Sequence, residues 1–565
     1  MSSMMALQDR LGRNIVFGLA LRLAGDTDRR DAIIAAAQSS GAVVSDFELD
    51  GVDENTDLLY NLTLFTTGDE QFAASRDAVA AIADVTIDEE IDFAMESHRG
   101  GPIETVAKGS IDSNTDLRII YTPGVARVCK AIEADPSLAK EYTGIANRVA
   151  IVTNGTAILG LGDIGPVAGM PVMEGKSAIF AEFTGISADA ILVDTKDPKE
   201  FIKACQLIAP SFGAIQVEDV AAPECFEITR TLDETLPIPV FHDDQHGTAT
   251  IVLAGLYSAA KLTGKDITTL KVAMCGAGAA GTAISDLLQR AGVADVILCD
   301  SVGAIYRGRT ERMNPEKDAL AERTNKDNVS GSLADIMVGA DVFIGCSLPN
   351  LVSQDMVRSM NAEPIIFPLA NPVSEISKPD ALAAGAAVYA DGRTMNNALA
   401  YPGIFRGALD CNCTTITFEM MMAAAEALAD IVFLFGGKWP GADAGGVGLG
   451  DAQCVIGGAQ PLSGADRRLG GNRVRRGDKR IGAVINVQHD ALGAFEQDAL
   501  AGLSGIIQAA PRGARVAKNF GRDFHQLFDD RRRIEFFRSQ TAKQCIMMKQ
   551  HLIDPGLQDI RIVQI

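Results

Sequence analysis

The feature that constrains the fold most is a glycine-rich loop, Gly276, Ala277, Gly278, Ala279, Ala280 and Gly281, which follows the apolar run LKVAMC and opens a helix-length segment. In this pattern the first glycine allows a tight turn, the second lets the backbone approach a pyrophosphate, and the third lets the helix pack on the sheet. Alone the pattern is a weak signal, and a chance cluster of loop glycines is the alternative. Its position between a strand and a helix predicts an α/β dinucleotide-binding unit.

An acidic residue, Asp300, ends the next apolar run, ADVILC. A carboxylate at this position can hydrogen-bond the adenosine ribose and repel a 2′-phosphate, which favours NAD over NADP. Arg307 and Arg309 lie close enough in sequence to soften that preference. The cofactor prediction is therefore NAD, with NADP acceptable.

Short β-rich runs alternate with helix-length segments from Asn147 to about residue 391, an order typical of parallel sheets covered by helices. We expect two α/β layers, a substrate-binding unit and a dinucleotide-binding unit. The predicted strands are RVAIVT, ADAILVDT, GAIQVED, IPVFHDD, LKVAMC, ADVILC, DVFIGC, PIIFPLA and AAVYAD.

Two acidic pairs end neighbouring predicted strands: Glu218-Asp219 after GAIQV, and Asp243-Asp244 after IPVF. The carboxyl ends of parallel strands face one crevice, so these carboxylates should converge and repel one another unless a cation lies among them. Oxygen ligands suit Mg²⁺ or Mn²⁺. The alternative is a set of solvated strand-end acids. His242 and His246 are more simply explained as locally hydrogen-bonded histidines than as ligands.

Lys176 lies in GMPVMEGKSAIF, where Gly175-Lys-Ser177 invites comparison with a phosphate-binding loop. The spacing rejects it, because five residues separate Gly169 from Gly175 where that loop requires four. A lysine beside a dinucleotide and a metal can instead have its pKa lowered and act as a general base. The alternative is a surface lysine at a helix start.

Taken in order, these motifs resemble the malic enzyme family over roughly 300 residues. The resemblance implies a malic-enzyme N-terminal α/β domain followed by a Rossmann NAD-binding domain, and an NAD-dependent, metal-dependent oxidative decarboxylation of (S)-malate to pyruvate and CO₂. The motifs are YTPGV from Tyr121, GLGDIG from Gly160, Gly175-Lys176, VED from Val217, FHDD from Phe241, the glycine loop, LANP from Leu369 and NNALAYPG from Asn396.

The resemblance also implies roles for individual residues. Lys176 takes the proton of the malate C2 hydroxyl, and Asp243 assists it. Tyr121 protonates C3 of the enolate, and the metal ligands are Glu218, Asp219 and Asp244. Asn371 and Asn397 bind substrate, with Asn371 also near the nicotinamide end of the cofactor.

Residues 14 to 91 predict strand, helix, strand, strand, helix, strand, a ferredoxin-like order that resembles an ACT-type regulatory module. No ligand motif identifies an effector, and a dimerisation or docking domain is an equal alternative. The predicted domains are 12–95 (ACT-like), 100–247 (N-terminal catalytic), 248–433 (Rossmann) and 434–565 (unassigned).

Net charge and hydropathy limit the classes of protein to which the chain can belong. A net charge of −22 argues against a nucleic-acid partner, and no apolar run suits a membrane span or secretory signal, so we expect a cytoplasmic protein. From Gly436 onward, however, 19 Lys and Arg residues face 13 Asp and Glu. This Gly- and Arg-rich tail is either appended and partly disordered or no longer in the ancestral reading frame, and it could impair activity.

Three alternatives to an NAD-dependent malic enzyme remain open at this point. A malolactic-type enzyme would keep its NAD bound and release lactate. An inactive redox or metabolite sensor would use the nucleotide site without turnover, and nucleic-acid binding would depend on the basic tail. The family resemblance further implies a homo-oligomer acting on a small molecule, malate.

Overall fold

A computed structural model describes residues 15–24, 29–53, 56–158, 160–371 and 373–434. The predictions for the unassigned tail lie outside these residues, apart from Leu434, the last residue of the helix that precedes it. Within the described residues, no helix is both long and apolar enough to cross a membrane.

The N-terminal part is a four-stranded antiparallel sheet with two helices. Its elements run β1 (Ile15–Leu23), α1 (Arg30–Gln38), β2 (Val43–Val52), β3 (Leu58–Thr66), α2 (Asp69–Ala80) and β4 (Val85–Asp92). The strand order is β2-β3-β1-β4, so the first and third strands lie at the centre. Alternate apolar residues such as Leu19, Leu21 and Leu62 turn to one face and pack against Ile33 and Val79 of the helices. The βαββαβ element order predicted from the sequence is confirmed.

A largely exposed helical segment follows. It contains α3 (Phe93–His98), α4 (Asn114–Ile120), α5 (Val125–Ala134) and α6 (Ala139–Tyr142). Ser113 begins α4 with a capping box, in which its hydroxyl and the Asp116 carboxylate satisfy each other's backbone N–H groups.

The second sheet is parallel throughout, in the order β6-β5-β7-β8. The polar side chains of the predicted cation site follow its two last strands. Its elements are β5 (Arg148–Thr153), α7 (Pro166–Thr184), β6 (Ser187–Leu192), α8 (Pro198–Ile208), β7 (Ala214–Val217), α9 (Glu224–Thr235) and β8 (Val240–His242).

The third sheet has the order β11-β10-β9-β12-β13-β14, parallel except for β11. This strand order, with the glycine loop after the central β9, is the predicted Rossmann-type arrangement. The strands are β9 (Lys271–Cys275), β10 (Asp295–Asp300), β11 (Gly303–Ala304), β12 (Val342–Gly345), β13 (Ile365–Pro368) and β14 (Val388–Tyr389). The helices are α10 (Thr248–Thr263), α11 (Ala279–Arg290), α12 (Pro315–Arg323), α13 (Leu333–Met337), α14 (Gln354–Arg358), α15 (Lys378–Ala383), α16 (Tyr401–Cys411) and α17 (Phe418–Leu434).

One continuous apolar core joins the two parallel sheets. It includes Val149 of β5, Phe180 of α7, Val272 of β9 and Phe405 of α16. The helix α10 is buried on nearly all sides, which explains its almost uninterrupted apolar sequence. Because this core is shared, the carboxyl ends of β7 and β8 have a fixed position relative to α16.

Candidate functional site

A buried lysine and two carboxylates form the centre of the site. The Lys176 Nζ lies 3.0 Å from Glu218 Oε1, and it also donates to Asp243 Oδ2. Lys176 lies in the middle of the 19-residue helix α7, and its side chain is 11% exposed. The alternative of a surface lysine at a helix start is therefore wrong. The helix α7 and the carboxyl ends of β7 and β8 bring these three side chains together.

Three carboxylates form a group that could hold a metal ion. One oxygen from each of Glu218, Asp219 and Asp244 lies within 4.8 Å of the others. Asp219 has a φ of +50°, a left-handed conformation that is uncommon for residues other than glycine and often occurs at functional sites. Its backbone N–H donates to Asp244 Oδ2 at 2.9 Å, which joins the two strand ends. An all-oxygen donor set of this kind fits Mg²⁺ or Mn²⁺.

A single π-helical turn, Asp243–Gly247, shapes the end of β8. A Cβ atom on Gly247 would lie 1.9 Å from Asp243 Oδ1 and 3.4 Å from Asn397 Cβ. The absence of a side chain at Gly247 therefore leaves the space that the Asp243 carboxylate occupies. Asn397 also lies beside this turn, close to Asp243, the ion-pair partner of Lys176.

Electrostatics around Lys176 favour its charged form. Burial alone would lower the pKa of Lys176, but the carboxylates of Asp243 and Glu218 raise it well above the ordinary value. Burial raises the pKa of Glu218, and the neighbouring Asp244 and Asp243 raise it further while Lys176 opposes them. The positive charge of Lys176 therefore faces an excess of negative charge from the neighbouring carboxylates. A bound divalent metal ion would balance that excess.

The two nearby histidines are neutral. Burial, followed by the charge of Lys176, lowers the pKa of His242 to about 3, and burial next to His242 lowers the pKa of His246 to about 3. His246 Nδ1 accepts the His242 backbone N–H at 3.3 Å. Both ring nitrogens of His242 lack a hydrogen-bond partner among the described residues, so the interpretation of satisfied local histidines is wrong for His242.

The glycine loop has the geometry expected of a pyrophosphate-binding turn. Gly276 has a φ of +108°, and a Cβ there would lie 2.4 Å from the Cys346 carbonyl oxygen. A Cβ on Gly281 would lie 2.0 Å from the Gly276 carbonyl oxygen, so both positions require glycine. A Cβ on Gly278 would meet no atom within 4 Å. The loop therefore presents open space at the N-terminus of α11, the position at which loops of this type bind a pyrophosphate.

Asp300 forms ion pairs with two basic side chains. Its Oδ2 accepts from Arg309 Nη2 at 2.5 Å and from Lys317 Nζ at 2.6 Å. Burial alone would raise the pKa of Asp300, but contact with Arg309 and Lys317 lowers it to about 2. Arg307 lies instead 3.6 Å from Glu322. The negative charge that was expected to repel a 2′-phosphate is therefore balanced within the chain.

Two of the residues expected in the site are exposed. Tyr121 follows α4, and the residue is 66% exposed. Asn371 is also exposed, and its backbone oxygen would lie 3.1 Å from a Cβ on Gly160, so the GLGDIG and LANP motifs meet there. Neither side chain makes a described hydrogen bond with the Lys176 centre.

Sequence reasoning missed two side chains at this centre. Gln216 Nε2 donates to Glu218 Oε2 at 2.6 Å, and the two residues, two positions apart, face the same side of the sheet. The signal in the sequence was a single polar residue in the otherwise apolar strand β7. Tyr401 packs its ring 5.0 Å from Lys176 Nζ. It stands within the NNALAYPG motif, but nothing in that motif separates its side chain from ordinary core residues.

A Rossmann-type sheet with an open glycine loop, next to a lysine–carboxylate centre, defines the chain as a dinucleotide-binding α/β protein of the oxidoreductase class. Family models for the malic enzyme N-terminal domain and the malic enzyme NAD-binding domain match residues 101–233 and 245–434. The chain belongs to the malic enzyme family.

Individual relatives agree with this assignment. An NAD-dependent malic enzyme of Geobacillus stearothermophilus is 49% identical over 63% of this chain and 75% of its own length. A bifunctional malic/malolactic enzyme of Bacillus subtilis is 49% identical over 59% of this chain and 82% of its own length. The crystal structure of a Pyrococcus horikoshii malic enzyme is 44% identical, with a TM-score of 0.58, over 60% of this chain and 83% of that one.

Proposed function

We propose that this chain oxidises (S)-malate with NAD and decarboxylates the product to pyruvate and CO₂, with a divalent metal ion. The observation that carries the proposal is the position of Glu218. Its carboxylate contacts the Lys176 amine at 3.0 Å and also belongs to the three-carboxylate group. A base and a cation site joined in this way suit oxidation of an alcohol next to a carboxylate.

The proposed metal ligands are Glu218, Asp219 and Asp244, which would hold Mg²⁺ or Mn²⁺. A cation in this group would polarise the substrate C2 oxygen and draw electrons from the C3–C4 bond as CO₂ departs. Three protein ligands leave positions for the substrate. The neutral His242 and His246 are not part of this ligand set.

Lys176 is the proposed general base, with Asp243 as its assisting acid. A bound NAD would supply the hydride acceptor for malate C2, and the neutral amine of Lys176 would take the C2 hydroxyl proton, which yields oxaloacetate. Because Asp243 and Glu218 favour the ammonium form, Lys176 must first pass a proton to the Asp243 carboxylate, to which it already donates a hydrogen bond. Charge balance at Glu218 by a bound cation lowers the cost of that loss.

Tyr121 is the proposed acid for the last step. After loss of CO₂, the enolate of pyruvate takes a proton at C3, and a tyrosine hydroxyl can supply it. Asn371 and Asn397 are the proposed substrate-binding amides. A Cβ atom placed on Gly247 would lie 3.4 Å from Asn397 Cβ, so Asn397 lies beside the turn that holds Asp243. This position supports a substrate-binding role for Asn397.

The proposed cofactor is NAD, bound at Gly276 to Gly281, with Asp300 at the adenosine ribose. Asp300 shares its charge with Arg309 and Lys317, so it repels a 2′-phosphate less than an isolated carboxylate would. We therefore expect measurable turnover with NADP as well.

Two further proposals concern assembly and the N-terminal domain. The exposed apolar side chains of Leu117, Ile119 and Ile120 on α4 support a homo-oligomer, since apolar patches of this kind mark interfaces. Light scattering of the wild type and of Ile119→Asp tests this, and a monomeric wild type refutes it. The βαββαβ sheet supports, but does not distinguish, an ACT-type sensor and a docking domain.

A malolactic reaction is the second candidate, because one relative carries both malic and malolactic activity in its name. The deciding experiment incubates purified protein with malate, Mn²⁺ and either NAD or NADP. Equal amounts of pyruvate and reduced cofactor support the proposed function. Lactate without net NADH supports the malolactic reaction, and no consumption of malate refutes both.

A further inference from the structure

Tyr401 carries a buried hydroxyl group next to the proposed catalytic lysine. We propose that this hydroxyl donates a hydrogen bond to an oxygen atom of the bound dicarboxylate substrate, which makes Tyr401 a substrate-binding residue. This inference rests on the proposed function, and it concerns a residue to which neither the motifs nor the carboxylate cluster gave a role.

The position of the Tyr401 ring is fixed by packing. Tyr401 is the first residue of α16, and its ring lies edge-on to Phe180 at 4.9 Å between centroids. Phe180 and Lys176 are four residues apart on α7 and therefore share one face of that helix. The ring lies across both side chains, 5.0 Å from Lys176 Nζ. This packing holds the Tyr401 side chain beside the reacting centre.

The hydroxyl group itself has no partner in the part of the chain that the structure describes. The Tyr401 side chain is fully buried, and its oxygen makes no hydrogen bond among the described residues. A buried hydroxyl without a partner is destabilising, whereas phenylalanine would fill the same space without that cost. Buried polar groups in folded proteins are almost always hydrogen-bonded, so this hydroxyl needs a partner from outside the described residues. A bound substrate is a suitable partner because it enters next to Lys176.

The surroundings determine what the hydroxyl can bind. Burial raises the pKa of Tyr401, and Asp243 and Glu218 raise it further although Lys176 opposes them, so the hydroxyl keeps its proton and can donate. Lys176 already holds the nearest oxygens of Glu218 and Asp243. A substrate carboxylate or C2 oxygen, drawn to the Lys176 charge, would bring an acceptor close to the ring.

Substitution of Tyr401 by phenylalanine separates this role from a packing role. Tyr401→Phe keeps the ring, so the Tm of the ligand-free protein should stay the same or rise. We expect kcat/KM for malate, with Mn²⁺ and NAD, to fall by about 10- to 100-fold, the range for a lost hydrogen bond to a charged group. The increase in Tm that malate produces in the presence of Mn²⁺ should shrink in parallel.

Tyr389→Phe is the matched control. Tyr389, in β14, is also a buried tyrosine, but its hydroxyl donates to the Ile376 carbonyl oxygen at 3.1 Å. This variant should lose stability and keep its KM for malate. Unchanged kinetics and an unchanged malate-induced Tm shift in Tyr401→Phe would overturn the inference, as would a lower Tm of the ligand-free variant with normal kinetics.

Failure of the inference differs from failure of the proposed function. If the wild type neither turns over malate nor gains Tm from malate with Mn²⁺, both are refuted. If the wild type does both and Tyr401→Phe matches it, only the role of Tyr401 is refuted.

Discussion

The Lys176 amine and the Glu218 carboxylate lie 3.0 Å apart, and both side chains are almost completely buried. The same amine contacts Asp243, whose side chain is fully buried as well. Removing one partner from a buried ion pair leaves uncompensated charge in the interior, which costs far more than breaking a surface pair. This relationship makes the folded state sensitive to any change at Lys176.

Lys176→Ala should abolish turnover, and without metal it should lower the free energy of unfolding by about 3 kcal/mol. Mn²⁺ should restore part of that stability, because it neutralises the carboxylates that the lysine no longer faces. Urea unfolding with and without Mn²⁺ measures both effects. Lys196→Ala, which removes a lysine from an exposed pair with Asp163, is the control and should change stability by less than about 1 kcal/mol. Equal Mn²⁺ stabilisation of wild type and Lys176→Ala would contradict this prediction.

Gly247→Ala should displace the Asp243 carboxylate, because the new Cβ would lie 1.9 Å from Asp243 Oδ1. We expect a loss of about 1–3 kcal/mol in stability, as for overpacked cores, and at least a tenfold loss of kcat. Thermal unfolding and steady-state kinetics check the two effects. Gly407→Ala, in open space on α16, should be neutral or stabilising. Wild-type kcat in Gly247→Ala would show that the position of Asp243 does not matter.

Asp300→Asn should reveal a pH-dependent contribution to stability. The pKa of Asp300 is about 2 in the folded protein and about 4 in an unfolded chain, so its stabilisation is present above pH 4 and disappears as the pH falls towards 2. We expect the wild type to exceed the variant by about 2 kcal/mol at pH 7. Urea midpoints from pH 7 to the lowest pH that preserves the fold should converge. A constant gap would contradict the assignment.

Lys317→Ala should sharpen the preference for NAD. With only Arg309 left to balance Asp300, repulsion of a 2′-phosphate grows, and kcat/KM with NADP should fall about tenfold more than with NAD. Arg307→Ala is the control, since Arg307 faces Glu322 and not Asp300. Equal losses with both cofactors would show that Lys317 does not influence this choice.

Local sequence patterns were sufficient to predict the structure where a residue's neighbours are set by its own strand or helix. The run RVAIVT predicted β5 with its observed ends, and the segment from Thr248 to Thr263 predicted the helix α10. Glu218, Asp219 and Asp244 could be expected together because parallel strands end at one edge, and the structure places them in one group.

Contacts made by distant segments could not be predicted. Arg309 was expected close to Asp300, but Lys317, 17 residues further along the chain, was not, because it reaches Asp300 only where α12 folds back on β10. Tyr401 meets Lys176 across 225 positions, through the aromatic packing between α16 and α7. No periodicity or motif spacing carries that information.

Manganese binding, measured by electron paramagnetic resonance, is a direct test of the proposed metal site because it does not depend on turnover. Asp244→Asn alters one of the three grouped carboxylates, and Asp194→Asn alters an exposed acid that follows β6 in the same sheet. We expect one tight Mn²⁺ site in the wild type and in Asp194→Asn, and at least a tenfold weaker site in Asp244→Asn with unchanged NAD binding. Wild-type Mn²⁺ affinity in Asp244→Asn would contradict a metal site at these carboxylates.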